Sequence, residues 1–386
     1  MIPDWVFRDL DGLKAGDSWR SLLQLESPSG PIVRLAGRPL VNLSSNDYLS
    51  LAGDPRLAAA AGRACLDWGS GAGASRLISG SLGLHSALEE ALAELKGAEA
   101  CILFSTGYHA NLGLLQAIMP EGVIFSDELN HASIVDGCRL SRARVAIYRH
   151  RDVGHLAALF REHRSASRKL VVTDGVFSMD GDLAPLPELV ELARQEGALL
   201  LVDDAHATGV LGEGRGTAAH YGLEGEVDLQ MGTLGKALGS FGAFVACPTP
   251  LRELLTNRAR SLIYTTAPPP PCVGAALEAV RILREEPERL ATLAANAARL
   301  RRGLRDAGFP ALEAPTPIVP LVLGENRRAL RWSERLRELG WWAHAIRPPT
   351  VPEGTSRLRI AVCAGHTAEQ MDGFVEAVAR LKREEP

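Results

Sequence analysis

The chain has 386 residues, 46% hydrophobic and 23% charged, with a formal net charge of −4. That composition fits a soluble globular protein with room for more than one domain. Its mild negative charge supplies no global field to recruit nucleic acid or an anionic membrane, and no apolar run approaches the length of a bilayer span. The six cysteines, at 65, 101, 138, 247, 272 and 363, form no CxxC pair and no compact framework, which points to reduced thiols in a cytoplasmic protein. The opening MIPDWVFRDLDG lacks the basic-then-apolar layout of a secretion signal.

Residues 1–45 read as an extension: a weakly helical stretch from Trp5 to Leu25, then a hairpin over Ile32–Leu43 turning near Gly37-Arg38. Asp54-Pro55 caps an alanine-rich helix running to Trp68. GSGAGASRLISGSLG, at 69–83, contains a degenerate dinucleotide fingerprint, but a helix rather than a buried strand precedes it, so a substrate-facing loop is the better reading. After an amphipathic helix from Leu84 to Lys96, short apolar runs alternate with helical stretches: Ala100–Ser105, Gly122–Ser126, Arg144–Tyr148, Lys169–Thr173, Ala198–Val202, Val227–Met231 and Ala243–Cys247. This rhythm predicts a doubly wound α/β domain over 46–270 with a mostly parallel, buried seven-stranded sheet. The four prolines at 268–271 mark its end. A connector helix from Val273 to Ala307 leads into a small α+β domain, with strands at Ile318–Leu323, Trp341–Ile346 and Ser356–Val362, completing a C-terminal unit over 271–386.

Ligands of such sheets lie beyond the carboxyl ends of the strands. There the sequence places Gly107 and Tyr108, His131, Asp174 and Ser178, Asp203, Asp204 and His206, then Thr233 and Lys236. Lys236 sits in TLGKALGSFG, among glycines and small apolar residues that would strip its water. Desolvation favours the neutral amine and makes lysine a nucleophile and Schiff-base former. Such a lysine points to pyridoxal 5'-phosphate. That cofactor needs a carboxylate for its pyridine nitrogen, which Asp203 or Asp204 could supply. It also needs backbone donors for its phosphate, available at Gly107-Tyr108 on a helix N-terminus with the Thr233 hydroxyl nearby. His131, His206 and Ser178 are candidates for its ring face and 3-hydroxyl. Rival chemistries lack their signatures: there is no GxSxG elbow, no GxxxxGK followed by Ser or Thr, and no HExxH or comparable metal-ligand spacing.

SNDYLSL, SRLISG, HASIVDG, TDGVFSMDGDLAPL, VDDAHATGVLG, the Lys236 segment and IRPPTVPEGTSRLRI together resemble the α-oxoamine synthases, pyridoxal-phosphate enzymes of the aspartate-aminotransferase fold type I. The resemblance runs from about Asp17 to the C-terminus. It implies that Lys236 holds the cofactor and removes the α-proton of the amino acid, that Asp203 partners the pyridine nitrogen, and that His206 and Ser178 surround the 3-hydroxyl. It also implies that His131 stacks on the ring and that Gly107, Tyr108 and Thr233 contact the phosphate. Thr266 is implied to reach the neighbouring subunit's cofactor, hence a homodimer with shared sites. Asn46 and Arg359 match a carboxylate clamp, beside an Arg357 of structural role, and Arg20 and Thr350 match substrate contacts. The RPPTVP segment and SRLRI tail are most similar to the branch that joins L-alanine to a pimeloyl thioester, borne by CoA or a carrier protein. Sister branches acting on glycine or serine, and an aminotransferase of the same fold, are the alternatives. Ala207 and Ala74 replace glycines usual in the family, adding methyl groups near the site. The arginines at 142, 144, 149, 151, 258, 260 and 347 are candidates for anion-binding patches or solvated surface.

Overall fold

The computed structural model describes residues 2–16 and 19–385. Among them thirteen strands form three sheets. An N-terminal hairpin comprises β1 (Ile32–Leu35) and β2 (Arg38–Asn42), joined through Ala36 and Gly37, both at positive φ. Seven strands follow: β3 (Ala100–Phe104), β4 (Val123–Asp127), β5 (Arg144–Tyr148), β6 (Lys169–Asp174), β7 (Leu199–Asp203), β8 (Leu229–Thr233) and β9 (Ala243–Cys247). They build one sheet in the order β3-β9-β8-β7-β6-β4-β5, parallel except for β9, which runs antiparallel to both neighbours. The C-terminal part contributes β10 (Ile318–Gly324), β11 (Trp341–Trp342), β12 (His344–Ile346) and β13 (Ser356–Ala361). β13 lies between β10 and β12, and β11 extends the N-terminal hairpin as a parallel neighbour of β2.

The large sheet is covered on both faces, as its near-continuous apolar strands require. Alternate side chains of one strand enter different cores. Leu170 and Val172 pack with Leu114, Ile134 and Leu255 from the helices Gly107–Ile118, Ala132–Ser141 and Thr249–Arg258. Val171, between them, packs with Phe160 and Leu189 from Val153–Glu162 and Leu186–Gln195. The chain is thus a doubly wound, mostly parallel α/β sheet with a smaller α+β domain. The latter's core gathers Leu300, Trp332, Leu358, Ile360 and Phe374, with Leu43 from the N-terminal segment. No helix among the described residues is long and apolar enough to cross a membrane.

Three expectations are corrected. The first helix spans Asp4–Ala15, with none of its residues buried, and Trp19–Gln24 is not helical; positions 17 and 18 of the expected stretch lie outside the described residues. The connector is two helices, Pro270–Glu285 and Glu288–Asp306. Pro287 has no N–H to continue the first and restricts the residue before it. The expected strand Trp341–Ile346 splits at Ala343, so its halves join different sheets.

Candidate active site

Four strands of the large sheet end in polar residues at one edge: Asp127, Asp174, Asp203 and Thr233. Parallel register sets Asp174 beside Asp203. The Lys236 turn folds back over this edge. Leu234, Ala237 and Leu238 anchor it in the core, and Gly239 takes positive φ where a Cβ would collide with the backbone of Leu51 and Ala52. The anchors are buried on one side of the turn, so the lysine is aimed to the other.

Two cavities meet at Lys236. The inner one, about 180 Å³, is lined by Gly107, Tyr108, His131, Ser133, Asp174, Asp203, Ala205, His206, Met231, Thr233 and Lys236. The outer one, about 830 Å³, shares His131, His206 and Lys236 and adds Arg20, Asn46, Ser178, Thr350 and Arg359. Thr266 lines neither; it is exposed on the segment before the prolines. Ala207 and Ala74 also line neither. The Ala207 methyl lies in the core with Leu49 and Leu238, and the Ala74 carbonyl accepts the Ala267 N–H at 3.0 Å.

A chain of hydrogen bonds fixes the protons around the lysine. Arg359, which can only donate, reaches Asn46 Oδ1 at 3.0 Å and the Tyr48 hydroxyl at 3.4 Å. Tyr48 donates its one proton to Asn46 Oδ1 at 3.2 Å. With that proton on Asn46, the Tyr48 oxygen is assigned as the acceptor from His206 Nδ1, 2.7 Å away. That tautomer leaves His206 Nε2 as the acceptor for Lys236 Nζ at 2.8 Å. The electrostatics agree. Burial, then the charges of Lys236 and Arg359, hold His206 well below the usual imidazole range. Burial likewise lowers Lys236 to about 8, against the pull of Asp203 and with help from Arg359. The pair is a poised amine on a neutral base.

The structure separates the two aspartates. Asp204 is sealed at 0% exposure, bonded to Lys96 at 2.7 Å and to the Thr217 N–H and hydroxyl. Asp203 faces the inner cavity and accepts from Asn111 Nδ2 at 2.8 Å and the Ala205 N–H at 2.9 Å. Asn111 also donates to Ser133, whose hydroxyl pairs with His131 Nδ1 at 2.7 Å. Asn111 and Ser133 tie Asp203 to the His131 ring, and neither stood out in the sequence. Nor did Tyr48, although it sits inside SNDYLSL. Burial lowers His131, with Asp203 opposing and Lys236 assisting. Arg359 and Arg357, two apart on β13, both grip the 178–180 loop: Arg359 Nε donates to the Ser178 carbonyl, and Arg357 pairs with Asp180 at 2.5 Å. Of the surface arginines, Arg149 pairs with Asp152 and Arg151 with Asp182, and none of the seven lines the outer cavity.

These residues fit pyridoxal phosphate. Thr106 caps the helix Gly107–Ile118 by accepting from the His109 N–H. Among the described residues, the N–H groups of Gly107 and Tyr108 have no internal acceptor and lie at a cavity wall, as a phosphate site at a helix N-terminus requires. Asp203 would supply the carboxylate and Lys236 the amine, both at the wall of the same cavity.

The aminotransferase class I and II family profile matches residues 38–378. The 8-amino-7-oxononanoate synthase of Anaeromyxobacter dehalogenans (strain 2CP-1 / ATCC BAA-258) is 53% identical over 380 residues, covering 98% of this chain and 95% of its own. Among solved structures, a serine palmitoyltransferase from S. paucimobilis with a bound PLP–myriocin aldimine superposes with a TM-score of 0.93 at 32% identity, covering 99% of this chain and 97% of that one. The 8-amino-7-oxononanoate synthase of Francisella tularensis superposes with a TM-score of 0.78 at 26% identity, covering 90% and 98%. With its dry amine, its cavity carboxylate and full-length identity of this order, the chain belongs to the 8-amino-7-oxononanoate synthases, pyridoxal-phosphate-dependent acyltransferases of the class I and II aminotransferase family.

Proposed function

We propose that this chain condenses L-alanine with a pimeloyl thioester, carried by CoA or by a carrier protein, releasing carbon dioxide and the free thiol and giving 8-amino-7-oxononanoate for biotin synthesis in the cytoplasm. The observation that carries the reading is the Lys236 amine, lowered to about 8 and held 2.8 Å from a neutral His206 where the two cavities meet. Pyridoxal phosphate supplies an aldehyde to that amine and a ring that stores the electrons of a deprotonated α-carbon.

The remaining work falls to the side chains. Asn46 and Arg359 offer the amino acid a carboxylate clamp on the outer side of Lys236. Lys236, its pKa lowered to about 8, is the base that takes the α-proton, and the His206 acceptor orients its nitrogen. The Asp203 charge favours a proton on the ring nitrogen. His131, Ser178, Gly107, Tyr108 and Thr233 hold the cofactor, while Arg20 and Thr350 face the acyl group at the mouth of the outer cavity.

The site is further proposed to be completed by a second copy of the chain, whose exposed Thr266 reaches across; sedimentation at micromolar concentration should return a dimer. The substrate reading is tested by offering alanine, glycine and serine with pimeloyl, succinyl and palmitoyl thioesters. Alanine with the pimeloyl thioester should exceed every other pair in kcat/KM. Preference for serine with palmitoyl, the chemistry named for the serine palmitoyltransferase neighbour, would overturn it.

A further inference from the structure

Asp174 is a second carboxyl in the inner cavity, and its surroundings differ from those of the other buried aspartates. It is 4% exposed, the same as its register neighbour Asp203. The backbone N–H of His131 favours its charged form, but burial opposes this more strongly. Its Oδ1 has no partner among the described residues. Among the described residues no cation is hydrogen-bonded to it, although the Lys236 charge acts on it: Lys236 is bonded to His206, Arg359 to Asn46 and the Ser178 carbonyl, and His150 and Arg151 to Asp127 and Asp182. Asp204, equally sealed, has a lysine and two donors from Thr217. An ionised carboxylate is acceptor-only, with room for about four hydrogen bonds, and two carboxylates sharing one dry site cannot both ionise freely.

We propose that Asp174 is a neutral carboxylic acid of this site, with Oδ1 sealed and unpartnered and its carboxyl set against the wall of the Lys236 cavity. The charged and titratable groups facing it are Asp203, Lys236, Asp127, Tyr148 and His131. Burial, and then the Asp203 charge, push its ionisation well above the carboxylate range, in keeping with this geometry. Two consequences follow. The cavity carries one carboxylate charge instead of two, so Lys236 is drawn less strongly toward the ammonium form. A neutral O–H can also donate to an electron-rich atom of a bound group, which a carboxylate cannot. This second consequence rests on the reading of the inner cavity as the cofactor site; the first does not.

Infrared spectra at pH 7.5 test the protonation state, on wild-type protein with and without cofactor. The expected result is a protonated-carboxyl C=O band in wild type that is lost in Asp174→Asn. A wild-type spectrum without such a band overturns the proposal, and needs no variant to fold. The second measurement is the Lys236 pKa in cofactor-free protein, read from the pH dependence of its acylation. Asp174→Asn exchanges one neutral group for another and should move it by less than about 0.3 unit, whereas Asp203→Asn removes a charge and should lower it by about a unit or more. A fall of a unit or more in Asp174→Asn would mean that the carboxyl is ionised and would overturn the proposal. Neither readout uses alanine or a thioester, so the substrate assignment can fail while this one stands, and the reverse.

Discussion

Lys96 and Lys236 are both removed from water, and each lies beside one member of the Asp203-Asp204 pair, yet their surroundings are opposite. Lys96, at the end of the helix Gly83–Lys96, donates to Asp204 at 2.7 Å with both side chains at 0% exposure, and Thr217 supplies further donors. That set is closed to solvent. Lys236 instead donates to a neutral imidazole and stands at the wall of two cavities. Burial alone therefore does not make a lysine reactive. A buried carboxylate partner makes it a structural tie. A neutral acceptor and an open side leave a nucleophile.

Four experiments would break or sharpen that contrast. On the proposed role of Lys236 as covalent anchor and base, Lys236→Ala should abolish turnover, by at least roughly 10⁴-fold; the cofactor-free variant should be at least as stable as wild type, since a desolvated amine is gone. Normal turnover without the lysine would overturn the assignment. Asp203→Asn should cost about 10³-fold in kcat through loss of a charge placed for the ring nitrogen, with folding preserved because an amide can still meet the Ala205 N–H. Lys96→Met should act on stability, lowering it by about 3–5 kcal/mol in chemical unfolding, because Asp204 would be left buried and unpaired. An unchanged unfolding midpoint would show that the pair is not the tie described above.

The smallest effect concerns a third buried base. His150 bridges Asp127 at 3.0 Å and Asp182 at 2.9 Å. Burial opposes its charge, but these two bonds outweigh it and raise the pKa to about 9. Because the folded value lies above that of free imidazole, the stabilisation is full below pH of about 6.5 and is lost as pH rises through about 9; it amounts to roughly 3 kcal/mol or less. The difference in unfolding free energy between wild type and His150→Gln should therefore shrink between pH 6.5 and 9. A difference that stays constant over that window would show that His150 carries no charge there.

Local patterns made the sheet legible. Seven apolar runs bounded by turns are the seven strands, because a buried parallel strand must be apolar throughout, and strand-end polarity marked the edge where the inner cavity lies. Lys236, His131 and His206 were expected there for the same reason, and the fold brings the three to one cavity wall. Partners distant in sequence were not. Asp203 and Asp204 are equivalent until Lys96, 108 residues earlier, is seen to occupy one of them. Asn111 is a helical residue one turn beyond Gly107, and only its contact with Asp203 gives it a role. Pro287 was a visible break within the expected connector. The split at Ala343 was not visible, since β11 and β12 are told apart only by the sheets that receive them.

The pairing of β2 with β11 has a consequence for how the protein is made. Arg38 donates to the carbonyl of Glu338, 300 residues later, and Val41 pairs with Trp341. At roughly 5–20 residues per second, the N-terminal hairpin leaves the ribosome about 15–60 s before its neighbour exists. Throughout that interval one margin of β2 is unpartnered in a crowded cell. Arg38 and Pro39, a charge and a residue without an N–H, are the kinds of side chain that discourage a stranger from pairing there.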